Sequence, residues 1–140
     1  MIVYLVRHAR AGSREDWAGD DRLRPLDKRG RRQAEALVDQ LAGREVGRIL
    51  SSPYARCVDS VVPLAGSRSL TVEADEGLAE GAGADAALDL FHRADGPLVA
   101  CVHGDLAEEL LGRKLKKGAT AILELSDGRV DVREHLDPPA

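Results

Sequence analysis

Two apolar runs, Met1–Val6 and Pro97–Val102, constrain this chain more than any other feature. Neither alternates apolar with polar residues, so each reads as a strand buried on both faces rather than one with a side in water. Strands of that kind belong to parallel sheets whose two faces are covered by helices. The intervening sequence supplies such helices. Asp27 is placed to cap a helix that carries Ala34, Leu37, Val38 and Leu41 on one face and closes at Gly43. A second strand is expected at Val46–Leu50, followed by a helix with Ser51 and Ser52 as cap oxygens and Pro53 at its first position. That helix should turn Val58, Val61, Val62 and Ala65 inward, with Pro63 kinking or ending it. A third strand is read at 70–74, a glycine-rich loop at 77–83 and a helix over about 84–94. After the apolar run at 97–102 a short helix is expected at 105–112. Residues 119–125 and 129–135 should form a hairpin about Asp127-Gly128, leaving Leu136–Ala140 as a frayed tail.

Strand and helix thus alternate along a chain of 140 residues, with no repeat, low-complexity tract or composition break. The expected architecture is an α/β domain, one unit over residues 1–140, built on a mainly parallel sheet. Apolar residues at 44% and charged ones at 31% suit a folded protein with a real core. The opening apolar run breaks at Arg7, and no later stretch is long enough to span a bilayer, so no membrane association and a cytoplasmic location are expected. Cys57 and Cys101 make no disulfide or zinc framework and read as small core residues. No pair among the four histidines has metal-ligand spacing, so neither metal nor other cofactor is expected.

Open parallel sheets bind ligands beyond the carboxyl ends of their strands. Arg7 and His8 follow the first strand, Ser51–Arg56 the second, Glu80 lies in the loop after the third, and His103 follows the fourth. Convergence of these four segments would make a pocket for a phosphate dianion. A neutral imidazole is a suitable nucleophile once arginines have neutralised the phosphate oxygens. Arg7 and Arg56 match phosphate geometry with paired hydrogen bonds, and His103 adds a donor to the transferred group. A carboxylic acid would protonate the leaving group; Glu80 is the first candidate, with Glu76, Asp105, Glu15 and Asp16 behind it. The competing reading is structural: Arg7 and His8 as a solvated strand end, Arg56 as an exposed helical arginine, His103 as a satisfied core histidine and Glu80 as a solvating charge.

The net charge is −4, yet residues 7–32 hold nine Lys or Arg against five Asp or Glu, a local excess of four positive charges. Arg10 and Arg14 either widen the field that attracts anions or are plain solvated charges, and Trp17 either walls the pocket or packs ordinarily. His92 and His135 read as surface residues. Without aromatic interleaving or a nucleic-acid module, RNA or DNA is not an expected partner.

The segments "LVRHARA" (5–11), "RPLDKRGRRQA" (24–34), "SSPYARCVDS" (51–60) and "CVHGD" (101–105) together resemble the histidine phosphatase superfamily, which includes the phosphoglycerate mutases. The resemblance implies a three-layer α/β/α sandwich of the phosphoglycerate mutase-like kind, a phosphohistidine intermediate on His8, a phosphate pocket of Arg7, His8, Arg56 and His103, Glu80 as proton donor, and no metal. Arg-His-Ala at 7–9, where Arg-His-Gly is common, resembles the short branch that contains phosphohistidine phosphatases. The chain lacks length for the insertions that cover the site in mutases, which favours a bulky phosphoprotein substrate. The activity expected is phosphate hydrolysis. Alternatives are a mutase-like or small-metabolite phosphatase, and a phosphate-binding adaptor without turnover.

Overall fold

The computed structural model describes residues 1–140. Its strands are β1 (Ile2–Arg7), β2 (Arg48–Ser51), β3 (Val72–Ala74), β4 (Leu98–Val102), β5 (Thr120–Ser126) and β6 (Arg129–Leu136). The helices are α1 (Lys28–Gln40), α2 (Ala55–Ser67), α3 (Ala84–Ala94) and α4 (Gly104–Leu111). One six-stranded sheet has the order β3-β2-β4-β1-β5-β6. The four strands from β3 to β1 are parallel, and the hairpin β5–β6 is added antiparallel to β1. The expected α/β fold with a mainly parallel sheet is therefore present as a mixed sheet with a parallel core.

The apolar runs lie where their composition puts them, at the centre. Side chains of a strand alternate between faces. Val3, Leu5, Leu98, Ala100 and Val102 pack with Ala87, Leu90 and Phe91 of α3 and Leu106 and Ala107 of α4. Tyr4, Val6, Val99 and Cys101 pack on the other face with Leu37 of α1 and Cys57, Val61 and Leu64 of α2. Every residue of β4 is buried, and each of its larger aliphatic side chains contributes about 1.5–3 kcal/mol by leaving water. Helices cover both faces, so the molecule has three layers.

Asp27 caps α1 as expected, its carboxylate accepting from the Gly30 amide at 2.7 Å. The helix ends at Gln40, ahead of Gly43, which takes φ +79° in the following turn. Two expectations are corrected at α2. It begins at Ala55, with Tyr54 at the cap position and no side-chain cap, because Ser51 stays in β2 and the Ser52 hydroxyl is engaged elsewhere. Its buried face is Arg56, Cys57, Ser60, Val61, Leu64 and Ala65, while Val62 is exposed. Pro63 does not end the helix, which runs on to Ser67. The carbonyl whose donor it removes belongs to exposed Asp59, where water can serve instead. The last residues are not frayed: Gln40 donates to the Asp137 carbonyl at 2.8 Å and Gln33 to that of Ala140 at 3.4 Å, laying the segment along α1. No helix is long and apolar enough to cross a membrane.

Candidate active site

Parallel strands end at the same edge of the sheet, and ladder-like hydrogen bonds continue past those ends. The His8 amide donates to the Val102 carbonyl at 3.0 Å, and the Ser52 amide to Cys101 at 3.0 Å. Residues 8, 52 and 103 are thereby neighbours in space although far apart in sequence. The His8 and His103 rings lie edge to face with centroids 5.6 Å apart.

His8 is 6% exposed, and its Nδ1 is 2.8 Å from the Ala9 carbonyl. A carbonyl only accepts, so Nδ1 carries the proton and the lone pair is on Nε2. Burial, opposed by the Ala9 hydrogen bond and reinforced by His103, Arg56 and Arg7, lowers the His8 pKa from 6.5 to about 3. The ring is a neutral base at ordinary pH. Its loop is fixed from several sides: the Ala9 amide donates to Ser60 Oγ at 2.8 Å, the Arg10 amide to Gln33 Oε1 at 3.0 Å, and the Arg10 carbonyl accepts from Asp27 at 3.0 Å. Gly30 is where α1 meets this loop, and a Cβ there would overlap the Arg10 carbonyl.

His103 is 1% exposed. Its Nε2 lies 2.8 Å from Ser52 Oγ, which also accepts from the Tyr54 amide at 3.2 Å. With the hydroxyl donating to Nε2, the ring's proton is on Nδ1, an atom that is buried without a partner. Tyr54 packs edge-on to the His103 ring, centroids 4.6 Å apart, and Cys57 Sγ is 3.6 Å from Nε2. Both cysteines are buried and unbridged.

Arg7 extends over the first residue of α4, where a Cβ on Gly104 would come within 2.7 Å of the guanidinium carbon, and donates to the Leu115 carbonyl at 2.8 Å. Arg56, 1% exposed, donates to the Asp21 carbonyl at 2.9 Å and to its carboxylate at 3.1 Å. Five buried side-chain polar atoms have no partner, and three are Arg7 Nε, Arg56 Nε and His103 Nδ1. Buried donors are ordinarily satisfied. Three unsatisfied ones on three sequence-predicted residues mark a place that suits an acceptor-rich anion.

Glu80 is at the rim of an open cavity of about 860 Å³ that Arg7 and His8 also line. It accepts from Arg14 at 3.1 Å and stands 3.8 Å from Arg56. Asp105 and Glu15 line the same cavity, Asp105 holding the Gly81 amide at 2.9 Å. Glu76 is instead paired with Arg22 at 2.9 Å. Trp17 and Asp16 border a separate shallow depression, and Trp17 donates to the Asp20 carbonyl at 2.8 Å. His92 and His135 are exposed.

Sequence reasoning missed Asp21, which joins three guanidiniums: Arg24 at 3.0 Å, Arg56 at 3.1 Å and Arg14 at 3.4 Å. It also missed buried Arg24, which donates to the Gly12 carbonyl, and cavity-lining Glu108, Lys114 and Lys117. The dense run of charge at 20–24 was the available signal for the first two. Nothing local marks the lysines.

In this three-layer α/β fold, His8, His103, Arg7 and Arg56 thus stand at the carboxyl edge of the parallel strands. Residues 3–90 match the histidine phosphatase superfamily (branch 1), and the chain belongs to that superfamily. It is 34% identical over 157 residues to the 8-oxo-(d)GTP phosphatase of Mycolicibacterium smegmatis (strain ATCC 700084 / mc(2)155), an alignment covering 98% of this chain and 48% of that protein. The chain thus spans about half the length of this curated relative. The fold is shared with the protein histidine phosphatase SixA complexed with tungstate, at 22% identity and TM-score 0.75, over 99% of this chain and 97% of that one. It is shared also with the α-ribazole phosphatase from Shigella flexneri, at 15% identity and TM-score 0.74, over 99% and 96%.

Proposed function

We propose that residues 1–140 act as one catalytic domain, a phosphatase that works through a phosphohistidine on His8. The observation that carries this reading is the state of that imidazole: Nδ1 is committed to the Ala9 carbonyl, and burial among cations keeps the ring neutral. A neutral nucleophile approaches a phosphate dianion without charge repulsion. Arg7 and Arg56 neutralise the phosphoryl oxygens, and Nδ1–H of His103 donates to the charge that develops on them.

In the first step a bond forms from Nε2 to phosphorus while the bond to the leaving oxygen or nitrogen breaks. The leaving group takes a proton from Glu80, which must first part from Arg14. In the second step water attacks phosphorus and gives a proton back to the Glu80 carboxylate, the N–P bond breaks, and orthophosphate departs with the imidazole restored.

The cavity supports one substrate class over the other. Its volume lies in the range of about 300–1,000 Å³ common for small-molecule sites. That favours a phosphorylated small molecule over the phosphoprotein suggested by chain length, and the name of the M. smegmatis relative points the same way.

The test is to quench the protein with phosphorylated substrates, a phosphohistidine peptide among them, and locate the label by mass spectrometry. Label on His8, with turnover abolished in His8→Ala, is expected. Label on another residue, or undiminished turnover in His8→Ala, overturns the reading.

A further inference from the structure

The cavity is larger and more cationic than one phosphate needs. Arg7, Arg10, Arg14, Arg24, Lys114 and Lys117 all line it, and Ala11 is its apolar contribution. Arg14 is committed to Glu80 and Asp21. Arg24 is anchored by Asp21 through Nε, and Arg10 faces Asp27 at a loose 3.7 Å. Lys114 and Lys117 have no ion-pair partner among the salt bridges of the structure.

Lys117 is the informative member. Burial and then the charges of Arg7, Arg24 and Arg10 lower its pKa, with Asp27 opposing. Lys117 lines the same cavity as Arg7, Arg10 and Arg24, so three guanidiniums and an ammonium face one space. The backbone beneath Lys117 is pinned. The Gly118 amide donates to the carbonyls of both Arg7 and His8, at 3.1 and 3.0 Å, and the Ala119 carbonyl accepts from Arg7 at 3.0 Å. Gly118, at φ +83°, packs against Gln33, the side chain that also holds the Arg10 amide. Gln33 thus ties the backbone bearing Arg10 to the segment bearing Lys117. Like charges held together cost free energy until an anion joins them.

We infer that Arg10, Arg24 and Lys117 form a second phosphate subsite beside the first, and that the substrate is an organic diphosphate whose terminal phosphoryl group is transferred to His8. This rests on the phosphohistidine reading above. Arg7 belongs to the first phosphate and adjoins the cluster, so the two anions are neighbours, as in an anhydride. The reaction balances without a further reactant: the Nε2–P bond forms, the bridging P–O bond breaks, and the organic monophosphate keeps the electron pair. With a second pKa of about 6, that phosphate leaves largely without a proton at neutral pH. Glu80 can then remain on Arg14.

The experiment has two arms. In binding, His8→Ala protein is titrated calorimetrically with pyrophosphate and with orthophosphate. Pyrophosphate is expected to bind at least tenfold more tightly, and Lys117→Ala in the same background to remove that advantage. In turnover, Lys117→Ala is expected to lower kcat/KM for adenosine 5′-diphosphate at least tenfold more than for 4-nitrophenyl phosphate, chiefly through KM. Arg10→Ala, also at an exposed side chain, repeats the comparison. Equal affinity for pyrophosphate and orthophosphate, or an equal fall on both substrates, overturns the subsite. A preference for fructose 1,6-bisphosphate or a phosphohistidine peptide over adenosine 5′-diphosphate overturns the diphosphate assignment. Absence of label on His8 with pyrophosphate binding intact defeats the phosphohistidine reading and leaves the subsite standing.

Discussion

Gly30→Ala separates a helix position from a site position. Gly30 is in the first turn of α1, where alanine would ordinarily stabilise by up to about 1 kcal/mol. Here the added Cβ overlaps the Arg10 carbonyl oxygen and would stand 2.8 Å from its carbon. Carbon atoms pack at about 3.5–4.0 Å and the oxygen stands closer still, so loop and helix must part by more than about 1 Å. Both sides of the clash are backbone, and no rotamer change relieves it. Overpacking costs about 1–3 kcal/mol, and the upper end applies. Less the helical gain, the net loss is about 2 kcal/mol, or a Tm lower by about 8 °C for a chain of this size.

The same displacement moves the loop that carries His8. A misplacement of about 1 Å can cost on the order of 100-fold in rate. Thermal unfolding and the rate of His8 phosphorylation should both be measured, with Gly66→Ala as control. Gly66 is exposed in α2 with nothing within 4 Å of its added Cβ, and that change should be neutral or stabilising. A Gly30→Ala protein as stable and as active as the parent would refute the argument that this glycine sets the loop's position.

Stability should also report the state of His8. Its pKa is about 3 when folded against 6.5 in the unfolded chain, so between those values the unfolded chain binds more protons and stability falls as pH falls. From pH 7.5 to 5 the His8 contribution is a loss of about 2 kcal/mol; urea titrations should show it in the parent and not in His8→Asn. Ser52→Ala removes the hydroxyl on His103 Nε2; kcat should fall about 10- to 100-fold with little change in KM, and Ser52→Thr should restore most of it. A loss confined to thermal stability would make Ser52 a packing residue only.

The parallel core was legible because its cause is local. Runs as apolar as Met1–Val6 and Leu98–Val102 have no solvated face to offer, whatever surrounds them. The cap at Asp27 and the hairpin turn at Asp127-Gly128 were legible for the same reason. Errors arose where two local preferences competed for one side chain. Ser52 has the chemistry of a helix cap, but the ladder bond to Cys101 carries it to His103, and the helix starts three residues later without it. The inward face of α2 was misread at Val62 because the buried stripe accepts Arg56 and Ser60, polar residues that a hydrophobic pattern leaves out.

By itself the sequence determined which polar residue types follow each strand, and that parallel strands would carry them to one edge, since residue type and sequence position are properties of the chain. Tertiary structure decided everything that depends on who stands next to whom. The proton of His8 is placed by a carbonyl and by burial, Asp21 gathers three arginines from different segments, and Lys117 comes to line one cavity with Arg10 through the fold, not through sequence. Electrostatic and hydrogen-bond energies depend on distances of a few ångströms across the fold, and no pattern read along the chain contains those distances.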